Sequence, residues 1–164
     1  MDDRWNTTSV AETHAGIISV KCRILTIILA ALILGQVVFV AVIVFAMNGW
    51  NEASNGMIFS LIGLFFSVQA MLLNFFVPGI FAKAFATKVK ESIDQLLGAY
   101  QLKVIFGAAA LEGAGFMNLC AFMQEHNKWS LVPVAVGIFL ILMMIPTPMR
   151  ITNWLDEVRR TPTE

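Results

Sequence analysis

Glu112 stands in the run GAAALEGAGFMN, residues 107 to 118, with glycine, alanine and phenylalanine around it in one of the most apolar parts of the chain. A globular core seldom takes an unpaired carboxylate, and a bilayer seldom takes one without a reason. Two kinds of chemistry suit it there. The carboxyl can be a hydrogen-bonding anchor between packed segments, or it can carry a proton.

Other polar side chains fall close to it in depth. Numbered from the centres of the apolar runs, Gln36 and Gln69 sit within about 3 Å of the level of Glu112, taking a helical rise of about 1.5 Å per residue. Ser67 is beside them, and Ser60, Asn74 and Asn118 are secondary polar candidates. An acid at the centre of a spanning helix costs about 2.5 to 3.5 kcal/mol, whereas an interhelical hydrogen bond returns about 0.6 kcal/mol on average and up to about 1.7. One glutamine does not offset a charged glutamate. No lysine, arginine or histidine lies at that depth. The expectation is therefore a protonated Glu112 that donates to Gln36, Ser67 or Gln69.

The elements that must position this layer follow from composition. The chain has 164 residues, 58% of them hydrophobic and only 13% charged, with mean hydropathy +0.76. Soluble domains carry about 25% charged residues, so these values point to an integral membrane protein. A spanning helix needs about 20 apolar residues. Four runs qualify, at 24–46, 57–77, 102–122 and 130–147, the last at the short end. The first is too long for a signal-peptide core and reads as a retained helix.

After Pro78 and Gly79, Phe81, Phe85, Val89, Ile93, Leu96, Leu97 and Tyr100 recur at steps of three or four. That spacing predicts an amphipathic helix over 80–100, lying on the inner leaflet or extending helix 2. A tail helix over 148–160 follows, capped by Thr147, begun by Pro148, with Trp154, Leu155 and Val158 on one face. The expected fold is an all-α single membrane domain of four transmembrane helices. Helix 3 is its centre, because small residues lie on two of its sides: Ala108, Ala109 and Gly115 on one, Gly107, Ala110, Ala114, Asn118 and Ala121 on the other. Helix 2 carries a matching polar and small seam at Ser60, Gly63, Ser67, Ala70 and Asn74.

With both termini and the 78–101 connection on one side, that side holds every lysine and arginine except Lys128. The positive-inside rule then makes both termini cytoplasmic. Cys22 and Cys120 fall on opposite sides and cannot form an intrachain disulfide, and Cys120 reads as a small packing residue.

The stretch GAAALEGAGFMNLC resembles the glutamate-bearing helix of ATPase proteolipid subunits, which implies Glu112 as a proton carrier. Over its whole length the chain looks like a family of small bacterial four-helix membrane proteins, on the stretches LLGAYQ and LEGAGF. That resemblance implies the bacterial cytoplasmic membrane and no established activity.

Formal net charge is zero, so no global field recruits nucleic acid. His14 and His126 have no second ligand at metal spacing, no phosphate-cradling loop is present, and Ser60 and Ser67 lack a histidine base. The expectation is no enzyme, no metal and no cofactor. Its partners are the lipid bilayer and either a second copy or another membrane helix. Two functions stay open. One is a non-enzymatic structural or accessory protein; the other is a proton-linked transport component using Glu112.

Overall fold

The structure is a computed structural model that describes residues 4–47, 50–86 and 93–160, with side-chain surroundings for 15–47, 50–76 and 93–158. It is all-helical, 88% helix, with no strand among the described residues. Helix α1 runs Arg4–Ala41 and continues as a π-helical turn, Val42–Ala46; α2 is Ile58–Ala86; α3 is Ile93–Glu125. A 3-10 turn, Lys128–Ser130, leads into α4, Leu131–Met143, and α5 is Pro148–Arg160.

Apolar runs without internal breakers explain the long helices. Along α1 and its π-helical turn, buried Ile18, Cys22, Leu25, Leu29, Gln36 and Ile43 recur at steps of three, four or seven, so one stripe faces the bundle while Val20, Ile27, Leu34 and Val38 face outward. Half of the most apolar stretch of α3 is buried, against 17% for α1 and for α2. The helix with small residues on two sides is thus the central one, packed against α1, α2 and α4.

Among the described residues, three helices are long and apolar enough to cross a membrane: Ala15–Ala46, Ile58–Phe76 and Ile93–Glu125. A fourth crossing exists only if Lys128–Met143 and Pro148–Val158, bent by 77°, count as one broken span. The expected span at 130–147 is therefore shorter than its apolar run. Pro146 and Pro148 end it, since each lacks an amide hydrogen and pushes the preceding residue out of helical geometry.

The helix expected over 80–100 falls partly on residues outside the described ones. Its first part continues α2 through Pro78 and Gly79 to Ala86, its last part begins α3 at Ile93, and 87–92 lies outside the described residues. A proline inside an apolar helix removes one hydrogen bond without ending the helix, as bundle neighbours and local adjustments satisfy the freed group. Leu96, Leu97 and Tyr100 are buried in one cluster with Ile18 and Cys22 of α1 and Ile151 and Leu155 of α5.

Helix α5 closes this end of the bundle. Thr147 Oγ1 accepts from Arg150 N at 3.3 Å, the expected cap. Ile151 and Leu155 are buried, Trp154 and Val158 pack beside them, and the Trp154 ring lies 5.3 Å from that of Tyr100. Cys22 Sγ donates to Pro146 O at 3.4 Å, tying α1 to the α4–α5 break. At the other end Ile43, Leu119, Phe122 and Val134 form a second cluster.

Candidate functional site: a polar layer around α3

Three side-chain amides join α3 to its neighbours, and all three are built alike. Gln36 Nε2 of α1 donates to Glu112 O at 3.1 Å, Asn74 Nδ2 of α2 donates to Gly107 O at 2.9 Å, and Asn118 Nδ2 of α3 donates to Gly63 O of α2 at 3.0 Å. Each amide occupies the space that a glycine leaves on the facing helix. A Cβ on Gly115 would collide with the Gln36 amide nitrogen, one on Gly107 with Asn74 Oδ1, and one on Gly63 would lie 2.8 Å from Asn118 Oδ1. Without glycine the helices could not approach closely enough for a side chain to reach a main-chain carbonyl that already serves its own helix.

Ser67 belongs to the α2 side of this layer. Its Oγ donates to Gly63 O at 3.1 Å and accepts from Asn118 Nδ2 at 2.7 Å. The seam expected on α2 is thus the contact face: Gly63, Ser67 and Ala70 are buried, Ser60 and Asn74 partly so.

Glu112 and Gln69 are placed differently from expectation. The hydrogen bond from Gln36 goes to the main-chain carbonyl of Glu112 and leaves its carboxyl unengaged. That carboxyl is half-buried, with Oε1 3.9 Å from where a Cβ on Gly35 would stand, at the crevice between α1 and α3. Among the described residues no donor bonds to it. Beside it, Phe106, Ala109, Gly113, Met117 and Cys120 form an exposed stripe on α3. A Cβ on Gly113 would meet nothing within 4 Å. Cys120, expected as a packing residue, belongs to this open face, and both cysteines are free.

Gln69 is not brought to Glu112. The seam of α2 faces α3, and Gln69 lies off that seam with its side chain exposed. Equal depth placed the two side chains at one level, but depth does not fix rotation about the helix axis. In α2 each residue turns about 100°, and Gln69 points away from α3.

A second polar cluster was not foreseen. Glu125, 5% exposed at the end of α3, accepts from Phe59 N at 2.7 Å, Ser60 N at 2.9 Å and Ser60 Oγ at 2.6 Å. It caps the first turn of α2, whose amides have no intrahelical acceptor. Ser130 Oγ donates to Ser60 Oγ at 2.8 Å, and Asn55 N donates to Glu125 O at 2.9 Å, so one residue gathers α2, α3 and the turn before α4. Next to it His126 holds a positive φ of 51° as α3 ends, with Nε2 3.0 Å from Glu52 Oε2. The available signal was the stretch NEASNGMIF: α2 begins after glycine and methionine with no capping side chain of its own, so its acceptor had to come from elsewhere.

Among the described residues, no three histidine, cysteine, aspartate or glutamate side chains are grouped to hold a metal. The chemistry on hand is hydrogen bonding by amides and carboxyls at helix interfaces. Comparison with family models, with curated proteins and with solved structures finds no match to the chain.

Proposed function

We propose that this is a non-enzymatic, multi-pass structural or accessory membrane protein that assembles with a second copy of itself through Glu112 and Gln69. Both termini face the cytoplasm, by the distribution of lysine and arginine.

The observation that carries this reading is the half-buried Glu112 carboxyl, which lacks a described donor at the mouth of the α1–α3 crevice. The fold is held by Gln36, Asn74 and Asn118, none of which uses that carboxyl. Gln69 is the second polar side chain left facing outward near mid-membrane. A protonated carboxyl and a primary amide are complementary, since each has one donor and one acceptor to offer the other. In a two-fold dimer the pair Glu112 to Gln69 of the other copy occurs twice, because a contact of residue i with residue j is repeated as j with i. The pair expected within the chain is thus assigned between chains.

Proton-linked transport would need polar groups leading to Glu112 from both sides. Ser60, Asn74 and Asn118 lie at the α2–α3 interface and are engaged there, whereas Glu112 lies on the α1 flank. One feature favours transport: Gln36 Oε1 is buried with no donor, next in sequence to the glycine that Glu112 approaches.

The test measures self-association by energy transfer in liposomes, together with proton flux, for wild type, Glu112→Ala, Glu112→Gln, Gln69→Ala and the double alanine variant. Self-association lost in each single variant, with no further loss in the double, supports the paired contact. Wild-type proton flux abolished by Glu112→Gln, with association unchanged, would establish the transport reading instead.

A further inference from the structure

The corner where α4 turns into α5 holds a cation without a counter-ion. The two helices are bent by 77° across residues 144–147, so α5 runs crosswise to α4. Arg150, in the first turn of α5, reaches back over the bend, and its Nη1 donates at 2.6 Å to the carbonyl oxygen of Met143, the last residue of α4. That carbonyl is one of those a helix end leaves without an intrahelical donor.

The hydrogen bond fixes the guanidinium but neutralises nothing. Among the described residues no carboxylate pairs with Arg150, and its remaining N–H groups have no acceptor. Glu157, the acid on the same face of α5, stands seven positions on, about 10 Å at a rise of about 1.5 Å per residue. Its charge acts on Lys103.

Apolar side chains surround the guanidinium. Leu142 and Met143 of α4 and Met149 of α5 are 47%, 54% and 72% exposed. An exposed arginine among such groups belongs at the boundary of hydrocarbon and water, where its stem lies in one and its head in the other. Trp154, one turn further along the same face, has its ring 5.3 Å from that of Tyr100, and Lys103 Nζ is 6.0 Å from the Tyr100 ring centre. Aromatic and basic side chains gather at the headgroup level in this way.

We infer that this corner binds the phosphate of an anionic phospholipid, the guanidinium donating to the phosphate oxygens while the acyl chains cover Leu142 and Met143. The planar fork of a guanidinium matches two phosphate oxygens at once. A zwitterionic head would bring an ammonium that needs an acid beside the guanidinium, and Glu157 is too far along α5 to supply it. A free phosphate ion offers the same oxygens but leaves the apolar neighbours uncovered.

The test is native mass spectrometry of the full-length protein in detergent, titrated with dioleoyl phosphatidylglycerol or dioleoyl phosphatidylcholine. The expected result is one phosphatidylglycerol held per chain, about tenfold more tightly than phosphatidylcholine, the order of one hydrogen bond to a charged group. Arg150→Gln weakens phosphatidylglycerol about tenfold and leaves phosphatidylcholine unchanged. Arg23→Gln, which removes another exposed cation at this end of the bundle, leaves both lipids unchanged. Excess inorganic phosphate does not displace the lipid. The comparison of the two lipids on wild type decides the matter even if Arg150→Gln does not fold. Equal affinity for the two lipids, undiminished binding in Arg150→Gln, an equal loss in Arg23→Gln, or displacement by inorganic phosphate would overturn the inference.

Discussion

Placing a methyl group at Gly63 tests whether glycine notches hold α2 against α3. A Cβ there would lie 2.8 Å from Asn118 Oδ1, 3.0 Å from its Cγ and 3.2 Å from its Cα. The side chain can rotate away, but the Cα belongs to the α3 main chain, so the two helices must separate by a few tenths of an ångström. Overpacking of this kind costs about 1 to 3 kcal/mol. The loss of the Asn118 to Gly63 bond adds about 0.6 kcal/mol, and replacing glycine by alanine in a helix returns about 1 kcal/mol. The net expectation for Gly63→Ala is a loss of about 0.6 to 2.6 kcal/mol. Gly113→Ala is the matched control, because its Cβ would meet nothing within 4 Å and only the helix-propensity gain of about 1 kcal/mol remains. Reversible unfolding in bicelles, under dilute conditions that keep the chain monomeric, reads both. Equal effects of the two substitutions, or a stabilised Gly63→Ala, would refute the notch mechanism.

Glu125→Gln keeps one acceptor but removes the charge that serves two amides and a hydroxyl at the start of α2, and should cost about 1 kcal/mol, with faster amide exchange at Phe59 and Ser60. The two cysteines should differ in reactivity. Cys120 is exposed and should react with a membrane-permeant maleimide in the folded protein, whereas Cys22, 7% exposed and bonded to Pro146 O, should react only on unfolding; mass spectrometry of the labelled peptides checks both.

The helical nature of the fold, the central place of α3 and the seam from Ser60 to Asn74 were legible from hydropathy and residue spacing. Those signals depend on period and composition, which a single helix expresses by itself. The continuation of α2 past Pro78 to Ala86 was one of two alternatives open in the sequence, because whether a proline interrupts a helix depends on neighbours that satisfy the freed carbonyl. The short α4 was not legible, since apolar residues continue to Ile145 while the helix stops at Met143. At the candidate site, Gln36 was correctly placed beside Glu112, yet the acceptor is a carbonyl rather than the carboxyl. Main-chain acceptors have no sequence signature. Gln69 was misplaced because depth alone was used, and Glu125 was passed over because an acid at a helix end resembles ordinary interfacial charge.

The most direct measurement is a double-mutant cycle on self-association in liposomes, with Glu112→Ala and Gln69→Ala combined and the unfolding free energy of each monomer recorded in parallel. The predicted result is a coupling of about 0.6 to 1.7 kcal/mol for each Glu112 to Gln69 contact, with monomer stability within about 0.5 kcal/mol of wild type in every variant. Additive effects on association, or a monomer destabilised by Glu112→Ala alone, would show that the carboxyl acts within the chain and not between two copies.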